Sequence, residues 1–404
     1  MRRSLACCSG VSPLHSVGTG ESDRARLFAT HPKGITVISK KAIALCATVG
    51  IALSGIAIAA PANADPVSNS YTVVGSDTLE DVVSALANGT SVTGSSVRTT
   101  ANGTTIGSFD ATGSSYITAK SGGVRFGRPN GSSDGVKALS RSMDGASYTA
   151  AAQVGKPASP AAVITGQVDI ARSSSGGTLN TSGELLYVPF GRDAFAYAYN
   201  GAGLDTITGS QMKSLYECSL TTINGVAVTP IVPQAGSGTR KDWVQKIGTS
   251  ETAMLTVSEG GCVVEGQEHD ATSLVTNSVM PMGVSRWIAM NTGSSFDKRG
   301  TGSLGTLISG VSPVTGTGTA MVPNAAYYAD PTWGRDTFLV VPFARVDAAN
   351  AAYDANLAAL IDATKSTSLT NSSPIVSRSG AVKKKFGFLA PTTGLTPYRV
   401  AKTA

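Results

Sequence analysis

Charged side chains are scarce in this sequence: Asp, Glu, Lys and Arg make up 14% of its 404 residues. The formal net charge of +6 arises at one end, because residues 1–64 hold seven basic and two acidic residues. The rest of the chain carries 25 basic and 24 acidic residues and is therefore almost neutral. A near-neutral body lacks the positive surface that nucleic acid or an anionic membrane attracts, so neither is expected as a partner.

Long apolar runs are also rare, and the one that stands out extends from Ala42 to Ala60, after a pair of lysines. Two small residues, Ala62 and Ala64, follow it at the spacing of a cleavage site, and no second such run comes later. This order is typical of a secretory signal peptide rather than of a membrane span. We expect residues 1–64 to be a leader and Sec signal peptide cleaved after Ala64, and the remainder to be secreted and associated with the cell envelope.

Cysteine and histidine are nearly absent after residue 64, where Cys218, Cys262 and His269 are the whole complement. Two cysteines in an exported chain most simply form a disulfide. A metal site lacks partners, because the acidic neighbours of the histidine, Glu268 and Asp270, are adjacent to it in the chain, and adjacent side chains rarely converge on one ion. We expect a Cys218–Cys262 disulfide, no metal site and no cofactor.

Short apolar runs alternate with helical patterns in the remaining chain. The segments Leu185–Phe190 and Thr337–Phe343 are typical of buried strands, whereas Leu79, Val82, Val83 and Leu86 follow the spacing of a helix face. Alternation of strand, loop and helix predicts an α/β fold with largely parallel sheets.

Four loops rich in hydroxyl groups follow strands or open helices: GSDT from Gly75, GSSDG from Gly131, RSSS from Arg172 and GSGT from Gly236. Each loop alone is typical of a capped turn. Ligands of open α/β sheets bind at the carboxyl ends of strands, so four such loops can meet at one site. Hydroxyls and free helix-start N–H groups are donors, and together the loops predict a site for a small oxyanion.

The ordered set GSDTL, NGSSDGVK, VDIARSSS, PFGRDAFAYAYN, TGSQMKSLY and GSGTR covers most of residues 71–345. It resembles the phosphate-binding component of bacterial phosphate ABC transporters, and most closely the actinobacterial branch. The resemblance implies a two-lobed α/β fold of the type II periplasmic-binding-protein class, with the ligand cleft between the lobes and crossovers near Phe190 and Met282. Residues 65–190 and 284–404 would form lobe 1 with a C-terminal tail, and residues 191–283 would form lobe 2. Arg192 and Asp193, at the first crossover, are expected to form a structural ion pair.

The same resemblance implies an exported, monomeric solute-binding protein that is not an enzyme. It would capture inorganic phosphate or a similar tetrahedral oxyanion and pass it to an ABC transporter permease. The positions that match the family's ligand loops are Thr78 and Leu79 in the first loop, Ser132 in the second, and Ser237, Gly238 and Thr239 in the third.

Two positions depart from the family pattern. Ser174 stands where the best-known members have an aspartate that accepts the proton of hydrogen phosphate, and Pro233 stands where they have an arginine. Sulfate, which carries no proton, therefore stays open as an alternative ligand. The residues expected to compensate are Arg172 and Arg240 as cations and Asp134 or Asp77 as acceptors.

A different class of function is also open. Residues 131–135 fit the G-x-S-x-G nucleophile elbow, and Ser133 with His269 as base would make a secreted serine hydrolase. The elbow needs a strand directly before it, and RFGRPN with its proline makes a poor one. The sequence thus favours binding over hydrolysis.

Overall fold

The computed structural model describes residues 65–66, 68–152 and 156–403. The predicted signal peptide, with its cleavage site at Ala64, lies outside the described residues. Within them, no helix is both long and apolar enough to cross a membrane.

The described chain contains short strands and helices in mixed order. The strands are β1 (Tyr71–Gly75), β2 (Thr90–Val92), β3 (Ser95–Val97), β4 (Ile106–Ser108), β5 (Tyr116–Thr118), β6 (Arg125–Gly127), β7 (Ser147–Tyr148), β8 (Ala162–Val163), β9 (Ile170–Ser173), β10 (Leu185–Asn200), β11 (Thr222–Ile223), β12 (Val226–Ala227), β13 (Thr229–Pro233), β14 (Val264–Gly266), β15 (Ser278–Gly283), β16 (Ser303–Gly305), β17 (Val314–Thr315), β18 (Val322–Pro323), β19 (Gly334–Pro342) and β20 (Tyr398–Val400). The α-helices are α1 (Glu80–Asn88), α2 (Ser132–Asp144), α3 (Gly209–Tyr216), α4 (Gly238–Lys246), α5 (Val284–Asn291), α6 (Ala325–Tyr328), α7 (Ala355–Leu360) and α8 (Ser379–Lys385). Single 3₁₀ turns occur at Asp77–Leu79, Val257–Glu259, Ala271–Ser273, Gly318–Ala320 and Phe343–Arg345.

One large sheet organises the chain, with the strand order β14-β13-β15-β10-β19-β9-β1-β4. On one side β4, β1 and β9 are parallel, and on the other β13 is parallel to β14 and β15. The two central strands, β10 and β19, are antiparallel to each other. The sheet is therefore parallel in its outer parts, as predicted, and antiparallel where the two parts join.

Two separate groups of apolar cores lie along this sheet. The first lobe is built on β1, β4 and β9 with α1 and α2, and its buried side chains come from residues 71–190 and 338–400 and from Ala289. The second lobe is built on β13 and β15 and the second half of β10, and its main core comes from residues 194–333. The two-lobed α/β fold is confirmed.

The second lobe takes in more chain than the predicted boundary after residue 283 assigns to it. Strand β16 pairs with β10, and Tyr327, Tyr328 and Trp333 are buried in the same core as Phe195 and Trp243. The chain returns to the first lobe along β19. Residues 293–321 are rich in Gly, Ser and Thr and show little periodicity, so the sequence carries no signal for the lobe to which they belong.

The predicted disulfide between Cys218 and Cys262 is confirmed, with Cα atoms 5.8 Å apart. Both cysteines contact the main core of the second lobe. The bond closes a loop inside one lobe and leaves the connection between the lobes unconstrained.

Candidate functional site

Four hydroxyl-bearing residues from separate loops lie buried between the lobes, each no more than 2% exposed. Thr78 sits on the 3₁₀ turn after β1, and Ser132 is the first residue of α2. Ser174 follows β9, and Thr239 lies in the first turn of α4. The first three belong to the first lobe and the fourth to the second lobe. The structure thus brings together one residue from each of the four predicted loops.

Glycine permits the close approach of the loops at two points. Gly75 ends β1 with φ of 106°, a left-handed conformation that glycine adopts without strain. A β-carbon there would lie 2.6 Å from the carbonyl oxygen of Arg172. A β-carbon at Gly238 would lie 2.3 Å from Ser132 Oγ and 2.6 Å from Ser174 Oγ. The start of α4 can therefore approach the serines only because residue 238 has no side chain.

The lobes are also joined by hydrogen bonds beside these loops. Gln234 Nε2 donates to Asn130 Oδ1 at 2.5 Å, and the N–H of Ser133 donates to the carbonyl of Gly236 at 3.3 Å. Within the first lobe, the N–H of Ser174 donates to Ser132 Oγ at 3.0 Å. The lobes are in direct contact around the site.

A guanidinium lies between the two threonines. Arg335, at the start of β19, donates from Nη1 to Thr239 Oγ1 at 3.1 Å and from Nη2 to Thr78 Oγ1 at 3.2 Å. It also donates two hydrogen bonds to Asp193 Oδ2, from Nε at 3.1 Å and from Nη2 at 2.9 Å. Its carbon Cζ lies 4.0 Å from the ring centroid of Phe195. One buried cation therefore links hydroxyl groups from both lobes.

Sequence reasoning missed Arg335, although a signal was present. The tripeptide GRD occurs at 191–193 and again at 334–336, and these segments face each other across β10 and β19 in antiparallel register. Arg192 pairs with Asp336 at 3.0 Å, and Asp193 pairs with Arg335. The expected ion pair of Arg192 with Asp193 is thus replaced by two cross-strand pairs, because neighbouring side chains on a strand point to opposite faces.

A second buried cluster adjoins Thr78. His269 Nδ1 lies 2.5 Å from Asp77 Oδ1 and 3.7 Å from Glu268 Oε1, and the Thr78 hydroxyl lies 3.5 Å from the same glutamate oxygen. His269 has a φ of 55°, in the left-handed region. Its ring and the carboxylate of Glu268 lie 3.7 Å apart, contrary to the expectation that adjacent side chains do not converge, whereas Asp270 accepts a hydrogen bond from the N–H of Thr272.

The neighbouring charges shift the pKa values within this cluster. Burial would lower the pKa of His269, but the hydrogen bond and charge of Asp77 outweigh burial and raise it. Burial would raise the pKa of Asp77, but Arg286, whose Nε lies 3.7 Å away, and His269 lower it. Arg286 also pairs with Glu80 and Asp81.

Two predicted cations have other partners. Arg172 is fully buried and donates four hydrogen bonds, to the carbonyls of Gly75, Ser76 and Phe109 and to Ser108 Oγ. It lies within β9 rather than after it, so its side chain supports the loop that follows β1. Arg240 forms ion pairs with Glu251 and Glu265 and donates to the carbonyl of Pro233.

The remaining predicted residues serve the loops that carry the site. Ser237 caps α4 by accepting a hydrogen bond from the N–H of Arg240 at 3.0 Å. Leu79 is buried in the core of the first lobe. Asp134 accepts from the N–H of Ala151 at 3.1 Å, and burial raises its pKa to about 6.

The geometry gives no support to a hydrolytic pair. His269 is fully buried beside Asp77, whereas Ser133 is exposed and lines a cavity of about 720 Å³ that also contacts Tyr187 and Lys241. No hydrogen bond joins Ser133 to His269 in the part of the chain that the structure describes.

Solved structures similar to this chain include three that each cover 80% of its length. A Clostridium perfringens protein with bound phosphate, described as a phosphate ABC transporter substrate-binding protein, has a TM-score of 0.46 and 13% identity and covers 80% of this chain and 100% of its own. An ABC-type phosphate transport receptor from Vibrio cholerae has a TM-score of 0.45 and 14% identity, with 80% and 100% covered. PstS from Borrelia burgdorferi has a TM-score of 0.40 and 14% identity, with 80% and 99% covered. No protein-family model and no curated protein matches the sequence. At these identities and TM-scores the likeness assigns no ligand to this chain.

Proposed function

We propose that this protein is a solute-binding protein that holds a small tetrahedral oxyanion, phosphate, between its two lobes. The observation that carries the proposal is the Arg335 guanidinium, which is bonded at once to Thr78 of the first lobe and Thr239 of the second. The motif resemblance implies the same ligand and the same two threonines.

The guanidinium prepares the hydroxyl groups to donate. Each threonine oxygen accepts a hydrogen bond from Arg335, so its own proton is directed to another acceptor. The Thr78 hydroxyl donates to Glu268 Oε1 over a long 3.5 Å contact, and an oxyanion would supply a closer acceptor to both threonines. Charge-assisted hydrogen bonds of this kind are the stronger class. The start of α4 adds donors, because Ser237 caps the N–H of Arg240 and leaves those of Gly238 and Thr239 without an intrahelical partner.

A nearby carboxylate favours phosphate over sulfate. Glu268 Oε1 lies 3.5 Å from the Thr78 hydroxyl, and Asp193 already offsets the charge of Arg335. A fully deprotonated anion is repelled by the glutamate, whereas hydrogen phosphate can donate its proton to it. The acceptor that the sequence lacks at Ser174 is thus supplied by Glu268. Sulfate stays the alternative ligand.

The protein is exported by its signal peptide, acts as a monomer without catalysis and delivers the anion to an ABC transporter permease. Because Thr78 and Thr239 are buried between the lobes, the anion enters and leaves when the lobes separate.

Isothermal titration of the purified protein with phosphate and with sulfate tests the proposal. We expect one phosphate per chain and much weaker sulfate binding. Two hydrogen bonds to a charged group contribute roughly 1.5–3 kcal/mol each, so the isosteric double change Thr78→Val with Thr239→Val should weaken phosphate binding by about 100-fold or more.

The matched control is Thr208→Ala, which removes the capping hydroxyl of α3, an exposed position in the second lobe. It should cost about 1 kcal/mol of stability and leave phosphate binding unchanged. Equal binding by the double variant and the wild type would refute the site, and failure of the wild type to bind either anion would refute the function.

A further inference from the structure

The loops after β1 and β14 bring three potential metal ligands together from opposite lobes. We propose that Asp77, Glu268 and His269 bind one divalent transition-metal ion. Their ligand atoms all lie within 4.8 Å of one another. The metal site shares Glu268 with the oxyanion site, which adjoins the cluster at Thr78.

The three side chains carry polar atoms that the protein leaves unsatisfied. Asp77 and His269 are fully buried, and Glu268 is 1% exposed. Among the residues that the structure describes, none gives a hydrogen bond to Asp77 Oδ2, Glu268 Oε2 or His269 Nε2. Burying an unpaired polar group costs free energy, and an unpaired carboxylate costs more. The two unpartnered carboxylate oxygens, Asp77 Oδ2 and Glu268 Oε2, indicate that a cation binds in this buried cluster.

The charges around the cluster favour a cation. Within the described residues, Glu268 forms an ion pair with His269 alone, at 3.7 Å. Asp77 also pairs with Arg286 at 3.7 Å, and Arg286 pairs in turn with Asp81. A bound cation would compensate the charge that remains on Glu268.

The donor set defines the class of ion. Two carboxylates and one imidazole are ligands that Zn²⁺ and Mn²⁺ accept, and three protein ligands leave further coordination positions open. His269 Nδ1 and Asp77 Oδ1 lie 2.5 Å apart, and both atoms are metal ligands in their deprotonated forms.

Equilibrium dialysis of the purified protein against Zn²⁺ in phosphate-free buffer, with metal content measured by atomic absorption, tests the proposal. We expect one Zn²⁺ per chain and a higher melting temperature with the metal than with a chelator. Loss of an outer partner of a metal ligand costs roughly 10–100-fold in affinity, so loss of a ligand in His269→Ala should cost more than about 100-fold.

Glu268→Gln is the second variant, because it keeps the side-chain shape and is the safer change for folding; it should also weaken Zn²⁺ binding by more than about 10-fold. Asp270→Asn is the matched control. The Asp270 carboxylate accepts a hydrogen bond from Thr272, so the variant protein should bind Zn²⁺ with the affinity of the wild type. No stoichiometric Zn²⁺ on the wild type, or equal binding by folded Glu268→Gln, would overturn the metal site and leave the phosphate measurements unaffected.

Discussion

Replacing Arg335 by lysine keeps the positive charge and removes the planar fork of the guanidinium. The arginine donates four hydrogen bonds, two to Asp193 and one each to Thr78 and Thr239. A lysine ammonium is a compact charge that can stay with Asp193 but cannot reach both threonines from one rotamer. The change therefore removes the hydrogen bonds that link the two lobes and keeps the buried ion pair with Asp193.

The expected loss of affinity follows from the two threonine hydroxyls, which lose the bond that orients them toward the anion. If each hydroxyl–phosphate hydrogen bond contributes about 1.5 kcal/mol, the lower end for bonds to charged groups, phosphate binding falls by about 100-fold in Arg335→Lys. The fold should lose less than the roughly 3–5 kcal/mol that breaking a buried pair costs, because the ammonium still faces Asp193. Affinity should thus fall far more than stability.

Titration calorimetry with phosphate and thermal melting of the same samples separate these two effects. The control is Arg192→Lys, which alters the other cross-strand pair, with Asp336, and contacts neither threonine. It should bind phosphate within about threefold of the wild type, a difference of less than 1 kcal/mol. If Arg335→Lys also binds phosphate with unchanged affinity, the guanidinium does not position the hydroxyls and the reasoning fails.

Three further measurements follow from the structure. Burial raises the pKa of Asp134 from 3.8 to about 6, so the protonated side chain contributes stability to the fold. This contribution is complete below about pH 4 and is lost as the pH rises to about 6. Asp134→Asn should therefore reduce the pH dependence of the free energy of unfolding, measured in urea from about pH 4 to pH 7. Replacing both Cys218 and Cys262 by serine should cost roughly 3–4 kcal/mol in the same unfolding assay and leave phosphate affinity unchanged, and lost affinity in folded protein would contradict a bond confined to one lobe. Gly238→Ala places a methyl group against Ser132, so calorimetry should show weaker phosphate binding, whereas wild-type affinity would show that the two loops need not approach.

From the sequence, the loops that form the site could be predicted, but the charged residues that lie in it could not. Thr78, Ser132 and Thr239 follow a local pattern of strand, loop and helix, which is visible without tertiary structure. Arg335 acts through the register of β10 and β19, a pairing of residues more than 140 positions apart. His269 adopts a left-handed backbone conformation, which the neighbouring sequence does not predict.

The antiparallel pair of β10 and β19 has a mechanical consequence. Backbone pairing continues on both sides of the register shift between Pro189 and Gly191, so sliding one strand along the other would break many hydrogen bonds at once. Such a ribbon bends more easily than it shears. Arg335 is part of the ribbon itself, whereas Thr78 and Thr239 lie on loops that belong to the two lobes on either side of it. When the lobes close, both hydroxyl groups would return to the same guanidinium. The site would therefore form with the same geometry each time the lobes close.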